Sequence, residues 1–83
     1  MAPNPYKSFK NDRQVKIYNM AADGVLTITT IRSDVVRVIN GNASGLVLWD
    51  VTNSNGRALA SDVYLCYYKD RDKAVNFKFA VIR

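Results

Sequence analysis

Residues 15–30 read VKIYNMAADGVLTITT, and this stretch decides the fold. Apolar and polar side chains alternate on both sides of Asp23-Gly24. This dipeptide favours a two-residue hairpin turn, because such turns need positive φ at both central positions. With these two residues as the turn, Ala22 faces Val25 across the hairpin. The pattern therefore predicts two antiparallel strands joined by a tight turn.

This predicted hairpin separates its side chains into an apolar face and a half-polar face. The apolar face holds Val15, Ile17, Ala21, Leu26 and Ile28. The half-polar face holds Lys16, Tyr18, Met20, Thr27 and Thr29. A shift of one residue in the pairing would mix the two faces, so their separation supports this register.

The rest of the chain repeats the pattern of short strands and turns. Residues 35–39, 46–51, 63–68 and 74–82 are rich in β-branched, aromatic and other apolar residues, and Gly-, Asn- or Asp-containing turns separate them. Residues 57–61 fit either a strand or one helical turn, and we favour a strand. Residues 63–68 and 74–82 are predicted to form a final hairpin around the charged residues 69–72. The sequence predicts an all-β fold, a small antiparallel barrel or sandwich of about six short strands with an extended N-terminal arm.

That arm, residues 1–13, precedes a single β domain of residues 14–83. It contains both prolines of the chain and no sustained apolar period. Its two aromatic side chains are candidate anchors, on this subunit or on a neighbour, and we expect the arm to contribute to assembly rather than to the fold of a single subunit. The expected interaction residues of the arm are Tyr6, Lys7, Phe9, Lys10 and Arg13. The arm has no apolar signal segment, so we expect synthesis in the cytoplasm without a signal peptide.

The composition argues against catalysis. All seven acidic residues are aspartates, and the chain has no histidine and one cysteine, Cys66. Histidine and paired carboxylates are the usual groups for proton transfer and metal binding, so we expect no enzyme activity, no cofactor and no metal site. Cys66 lies in an apolar run without a basic neighbour, which predicts a buried, unreactive thiol.

Mixed basic and aromatic residues support nucleic-acid binding as an alternative. The net charge is +5, and residues 1–16 carry four of the cations against Asp12 alone. Cations neutralise phosphates while aromatic rings stack on bases. Beyond the arm, the candidate contacts are Lys16, Tyr18, Tyr68 and Lys78.

The leading hypothesis is a structural or interaction protein. Hydrophobic residues make up 48% of the chain, although it has no disulfide to support so small a core. Such a surplus of apolar surface favours contact with another chain. We expect a β-module that self-associates or decorates a larger assembly, with a virion, such as that of a phage, as the assembly that the composition favours. A small inhibitor of a host enzyme is a third hypothesis, and neither a membrane nor a small-molecule substrate is expected.

Replacing Trp49 by alanine tests the predicted core. Trp49 shares a strand face with Val47 and Val51, and it is expected to anchor the core together with Phe77 and Phe79. We expect Trp49→Ala to lower the free energy of unfolding by about 3–5 kcal/mol, because it leaves a large cavity. Urea or thermal unfolding measures the change, and an unaltered melting temperature would place the indole on the surface.

Overall fold

A computed structural model describes residues 1–8 and 14–83 of the chain. The described residues contain no helix and form seven β-strands, which confirms the all-β prediction. The strands are β1 (Tyr6–Lys7), β2 (Val15–Tyr18), β3 (Val25–Thr29), β4 (Val35–Asn40), β5 (Leu46–Trp49), β6 (Asp62–Lys69) and β7 (Ala74–Ile82). The strand beyond the expected six is β1, which lies in the segment interpreted as an arm.

Two sheets enclose one hydrophobic core. The larger sheet has five strands in the order β1-β7-β6-β3-β4, and the smaller one pairs β2 with β5. Trp49 of the small sheet contacts Phe79 of the large sheet, with 5.7 Å between the ring centroids. Both rings are buried, while Phe77 is half-buried and packs against the core. The indole and phenyl rings therefore connect the two layers of the sandwich.

The last two strands form the hairpin that the sequence predicts. Strands β6 and β7 pair antiparallel along their whole length, from Asp62 opposite Val81 to Lys69 opposite Ala74. The Asp70 N–H donates to the Lys73 carbonyl at 2.9 Å and closes the loop. The charged residues 69–73 thus serve as a solvated turn between two strands.

The predicted hairpin of β2 with β3 is wrong. Strand β2 pairs with β5, and β3 pairs with β4 and β6. The Gly24 N–H donates to the Ala21 carbonyl at 2.9 Å, so Ala22 and Asp23 are the central turn residues. The predicted burial of Val15, Ile17, Leu26 and Ile28 is nevertheless correct, whereas Met20 is buried rather than on the half-polar face.

Asn19 and Gly24 explain the different turn. Asn19 has φ of 61° and redirects the chain at the end of β2, before the chain reaches Asp23. Asparagine tolerates this left-handed conformation better than most residues. Gly24 is needed for space: a Cβ there would lie 2.5 Å from the hydroxyl oxygen of Tyr68. The glycine permits close packing against β6.

Residues 57–61 form neither the favoured strand nor a helical turn. Ala58 makes an isolated antiparallel bridge with Thr52, and the Asn53 N–H donates to the Arg57 carbonyl at 2.8 Å. Leu59 in this segment is buried. The segment therefore closes a short turn and places one side chain in the core.

The described part of the N-terminal segment joins the two sheets. Ala2 exchanges two backbone hydrogen bonds with Lys16 of β2, at 2.9 and 2.7 Å. Four residues later, Tyr6 pairs in parallel with Val81 of β7, and its ring is buried in the core. Tyr6 is therefore anchored in its own subunit rather than on a neighbour.

Two tyrosine-to-alanine variants test this role of the N-terminal segment. We expect Tyr6→Ala to reduce the free energy of unfolding by about 3 kcal/mol or more, because a buried aromatic side chain is lost. Tyr18→Ala is the matched control, since the Tyr18 ring is 52% exposed. Chemical denaturation compares the two. Equal small effects would mean that residues 1–8 are dispensable for the fold.

Candidate functional site

The described residues include no cluster of metal-ligating side chains. Within residues 1–8 and 14–83, no group of three or more histidine, cysteine, aspartate or glutamate side chains could hold a metal ion. The described chain also has no helix that is long and apolar enough to cross a membrane. Cys66 is buried, as expected, and desolvation raises the pKa of its thiol to about 12.

Tyr68 is a core residue, which corrects its assignment as a nucleic-acid contact. Its hydroxyl accepts a hydrogen bond from the Ala21 N–H at 2.9 Å and donates one to Asp70 at 2.6 Å. With its ring buried, Tyr68 cannot stack on a base. The exposed tyrosine of β6 is the neighbouring Tyr67. The sequence could have predicted these orientations, because side chains alternate along a strand. With Cys66 pointing inward, Tyr68 also points inward and Tyr67 points outward.

The bond between Tyr68 and Asp70 also alters their ionisation. The hydrogen bond raises the pKa of Tyr68 and lowers the pKa of Asp70. Burial raises the pKa of Tyr68 further. Because the pKa of Asp70 is lower in the folded state, the Asp70 carboxylate stabilises the fold at any pH above its pKa in the unfolded chain. This stabilisation is lost as the pH falls through the pKa of Asp70 in the folded state. These shifts fit a structural carboxylate that fastens a turn.

The structure divides the other predicted contact residues between separate places. Tyr6 is in the core and Lys7 is half-buried on β1. Lys16 and Tyr18 lie exposed on one face of β2, whereas Lys78 is exposed on β7 in the other sheet. The predicted arm contacts Phe9, Lys10 and Arg13 lie outside the described residues. Lys16 and Tyr18 are the predicted pair that the fold brings together.

Three neighbouring apolar side chains cover the outer face of the small sheet. Tyr18 lies directly opposite Leu46, and Leu48 follows on the same face, opposite Lys16. Their exposed fractions are 52% for Tyr18, 39% for Leu46 and 51% for Leu48. We call these three residues the leucine patch. Exposed apolar clusters of this kind commonly mark contact surfaces, because burying them removes apolar area from water.

The inward orientation of Trp49 creates the leucine patch. Trp49 is buried and the half-buried Val47 packs on the core, so alternation along β5 turns Leu46 and Leu48 outward. The sequence contains this signal in the run LVLW of residues 46–49. The run by itself does not indicate that the leucines are exposed, because a strand that is apolar on both faces also fits a fully buried strand.

The loop before β5 covers one end of this sheet edge. The Asn42 side-chain amide donates to the Leu46 carbonyl at 3.1 Å, and the Ser44 hydroxyl donates to the Asn42 side-chain oxygen at 2.6 Å. The Leu46 N–H in turn donates to the Ser44 hydroxyl at 3.3 Å. These side chains satisfy the backbone groups of Leu46 that a neighbouring strand would otherwise pair with. The patch is therefore available for contact through its side chains rather than through its backbone.

Comparison with known proteins identifies one similar fold. No protein family and no curated protein matches the chain. A solved structure matches 99% of this chain with 26% sequence identity and a TM-score of 0.80. It comes from a study of PorZ, described as an essential bacterial surface component of the type-IX secretion system of Porphyromonas gingivalis.

The match covers 11% of the PorZ chain, so this chain spans about a tenth of that protein's length. The likeness therefore concerns one small β-domain within a much larger surface protein. None of these comparisons supports the expected virion or a nucleic-acid partner.

Alkylation of Cys66 tests the closed core. A pKa of about 12 leaves on the order of one thiol in ten thousand ionised at pH 8, and burial blocks access as well. We expect iodoacetamide to label the folded protein very slowly and the urea-unfolded protein quickly, as followed by mass spectrometry. Similar rates in the two states would contradict the buried position of the thiol.

Proposed function

We propose that this chain is a non-enzymatic interaction domain that docks onto a bacterial cell-surface assembly through the leucine patch. The observation that carries the proposal is the exposure of three adjacent apolar side chains on one sheet face. No metal-binding group among the described residues competes with this interpretation. Contact with another protein is the function that this surface suits.

The patch has the character of the centre of a protein interface. Aromatic and aliphatic side chains contribute most of the binding energy at such centres, and charges are depleted there. Fully burying one Leu or comparable side chain contributes about 1.5–3 kcal/mol, so the half-exposed patch has a substantial part of this energy left to gain. Lys16 at its border would remain at the polar rim.

The structural likeness to PorZ supports a bacterial surface assembly as the binding partner. PorZ is named as a surface component of a secretion system, and this chain matches one small portion of it. A bacterial surface assembly therefore replaces the virion as the proposed setting. Under this proposal the domain works at the cell surface rather than in the cytoplasm.

Binding to an isolated cell envelope tests the proposal. The labelled domain is titrated against envelope fractions of the bacterium that encodes it, beside a double variant, Leu46→Thr with Leu48→Thr, that keeps strand propensity but removes apolar area. We expect saturable binding that persists in high salt and weakens at least about 10-fold in the variant.

A second double variant, Val35→Thr with Val38→Thr, is the matched control, because both valines are exposed on β4 of the other sheet. It should bind like the unmodified domain. Equal losses in both variants, or no saturable binding, would contradict the proposal. Binding to nucleic acid that falls steeply with salt would instead support the alternative of a nucleic-acid-binding barrel.

A further inference from the structure

One part of strand β7 has an edge that no described residue pairs with. The bond between Asp70 N–H and the Lys73 carbonyl sets the alternation of the β6–β7 ladder. Even-numbered residues of β7 consequently turn their N–H and C=O groups away from β6. Near the start of β7 these residues are Ala74 and Asn76, and neither makes a further hydrogen bond to residues 1–8 or 14–83.

The rest of the same edge is occupied by the chain's own N-terminal segment. Tyr6 and Lys7 pair in parallel with Val81 and Ile82. Further along, the Asn4 side chain donates to the Lys78 carbonyl at 2.9 Å and accepts from the Ala80 N–H at 3.2 Å. This edge therefore already binds an extended segment, which also inserts one aromatic ring into the core.

A cleft with a mixed lining lies next to the unpaired end of β7. Its volume is about 250 Å³, and its walls combine the apolar Met1, Ile17, Met20, Leu26, Val75 and Phe77 with Tyr18, Asn19, Tyr68 and Lys73. Val75 belongs to the inner face of β7 and is still 43% exposed. A cavity of about 150 Å³ is enough to hold benzene. The cleft thus has room for a large apolar side chain.

Lys73 is the charged residue in the wall of this cleft. Its ammonium group lies 5.9 Å from the centre of the Tyr68 ring. The chain carries a net charge of +5, which attracts acidic partners over longer distances. A carboxylate next to the inserted apolar group would complement this cation.

We propose that the unpaired end of β7 and this cleft bind an extended acidic segment of another protein. The segment adds as a strand to the backbone of Ala74 and Asn76, and it places a large apolar side chain in the cleft and a carboxylate beside Lys73. Backbone pairing supplies general affinity in this mode of recognition, and the side-chain pocket supplies selectivity. The cleft shares Tyr18 with the leucine patch. The variants that test the two sites do not overlap, because Leu46 and Leu48 do not line the cleft and Val75 and Asn76 are not in the patch, so the two proposals can fail separately.

Peptide selection and binding measurements test this site. A displayed library of random dodecapeptides is selected on the full chain, and enriched peptides are synthesised and titrated. We expect peptides with large apolar residues at alternate positions and with an acidic residue among them. Binding should protect the Asn76 amide from hydrogen exchange, an effect that a contact through side chains alone would not produce.

Two pairs of variants locate the binding. Val75→Asp removes apolar area from the cleft and repels the expected carboxylate, and Val63→Asp is its control, because Val63 is 41% exposed on the outer face of β6. Asn76→Pro removes an edge N–H that the β6 ladder does not use, and Asn76→Ala keeps it. Val75→Asp and Asn76→Pro should weaken the peptide at least about 10-fold, whereas the controls should leave its affinity unchanged.

Thermal melting establishes that each variant is folded. Equal affinity for Val75→Asp and Val63→Asp would overturn the proposal, as would enrichment of peptides without alternating apolar residues. Sizing of the chain without peptide distinguishes a second copy as the occupant. If the chain dimerises and Val75→Asp makes it monomeric, the edge pairs with itself and the proposed acidic partner is wrong.

Discussion

The hydroxyl group of Tyr68 is the contact on which the arrangement of the two sheets depends. It accepts from the Ala21 N–H and donates to Asp70, and thereby joins the turn after β2 to the loop after β6. Gly24 lies against the same ring, where any larger residue would clash. Because the turn is fixed to β6 in this way, β3 enters the large sheet while β2 stays in the other layer.

With β2 in the second layer, the remaining contacts follow from the need to bury apolar side chains on both inner faces. Strand β5 supplies the partner for β2, and its Trp49 reaches across to Phe79. The N-terminal segment then connects the layers, through Ala2 on β2 and Tyr6 on β7. A chain this short leaves a narrow margin of stability, so a connection of this kind is valuable where no disulfide is available.

The small size of the second sheet also explains the exposed apolar surface. Two strands cannot cover the whole inner face of a five-stranded sheet, and Val75 and Phe77 remain partly uncovered beside a cleft. On the outer side of the small sheet, a strand that is apolar on both faces leaves Leu46 and Leu48 in solvent. Both features follow from the architecture.

The sequence alone determined the fold class, the final hairpin and the burial of most alternating residues, because side-chain alternation is a local property of a strand. Val15, Ile17, Leu26 and Ile28 are buried as expected, although their strands do not pair with each other. The exposure of Tyr67 and of the leucine patch was also within reach of that alternation, once Cys66 and Trp49 were assigned to the core.

Strand partners, by contrast, were decided by the tertiary structure. The contact between Tyr68 and Ala21 joins residues 47 positions apart, and the bridge from Ala2 to Lys16 depends on the placement of both sheets. A local pattern such as Asp23-Gly24 cannot report these contacts. Many pairings satisfy the same alternation, and long-range packing selects among them.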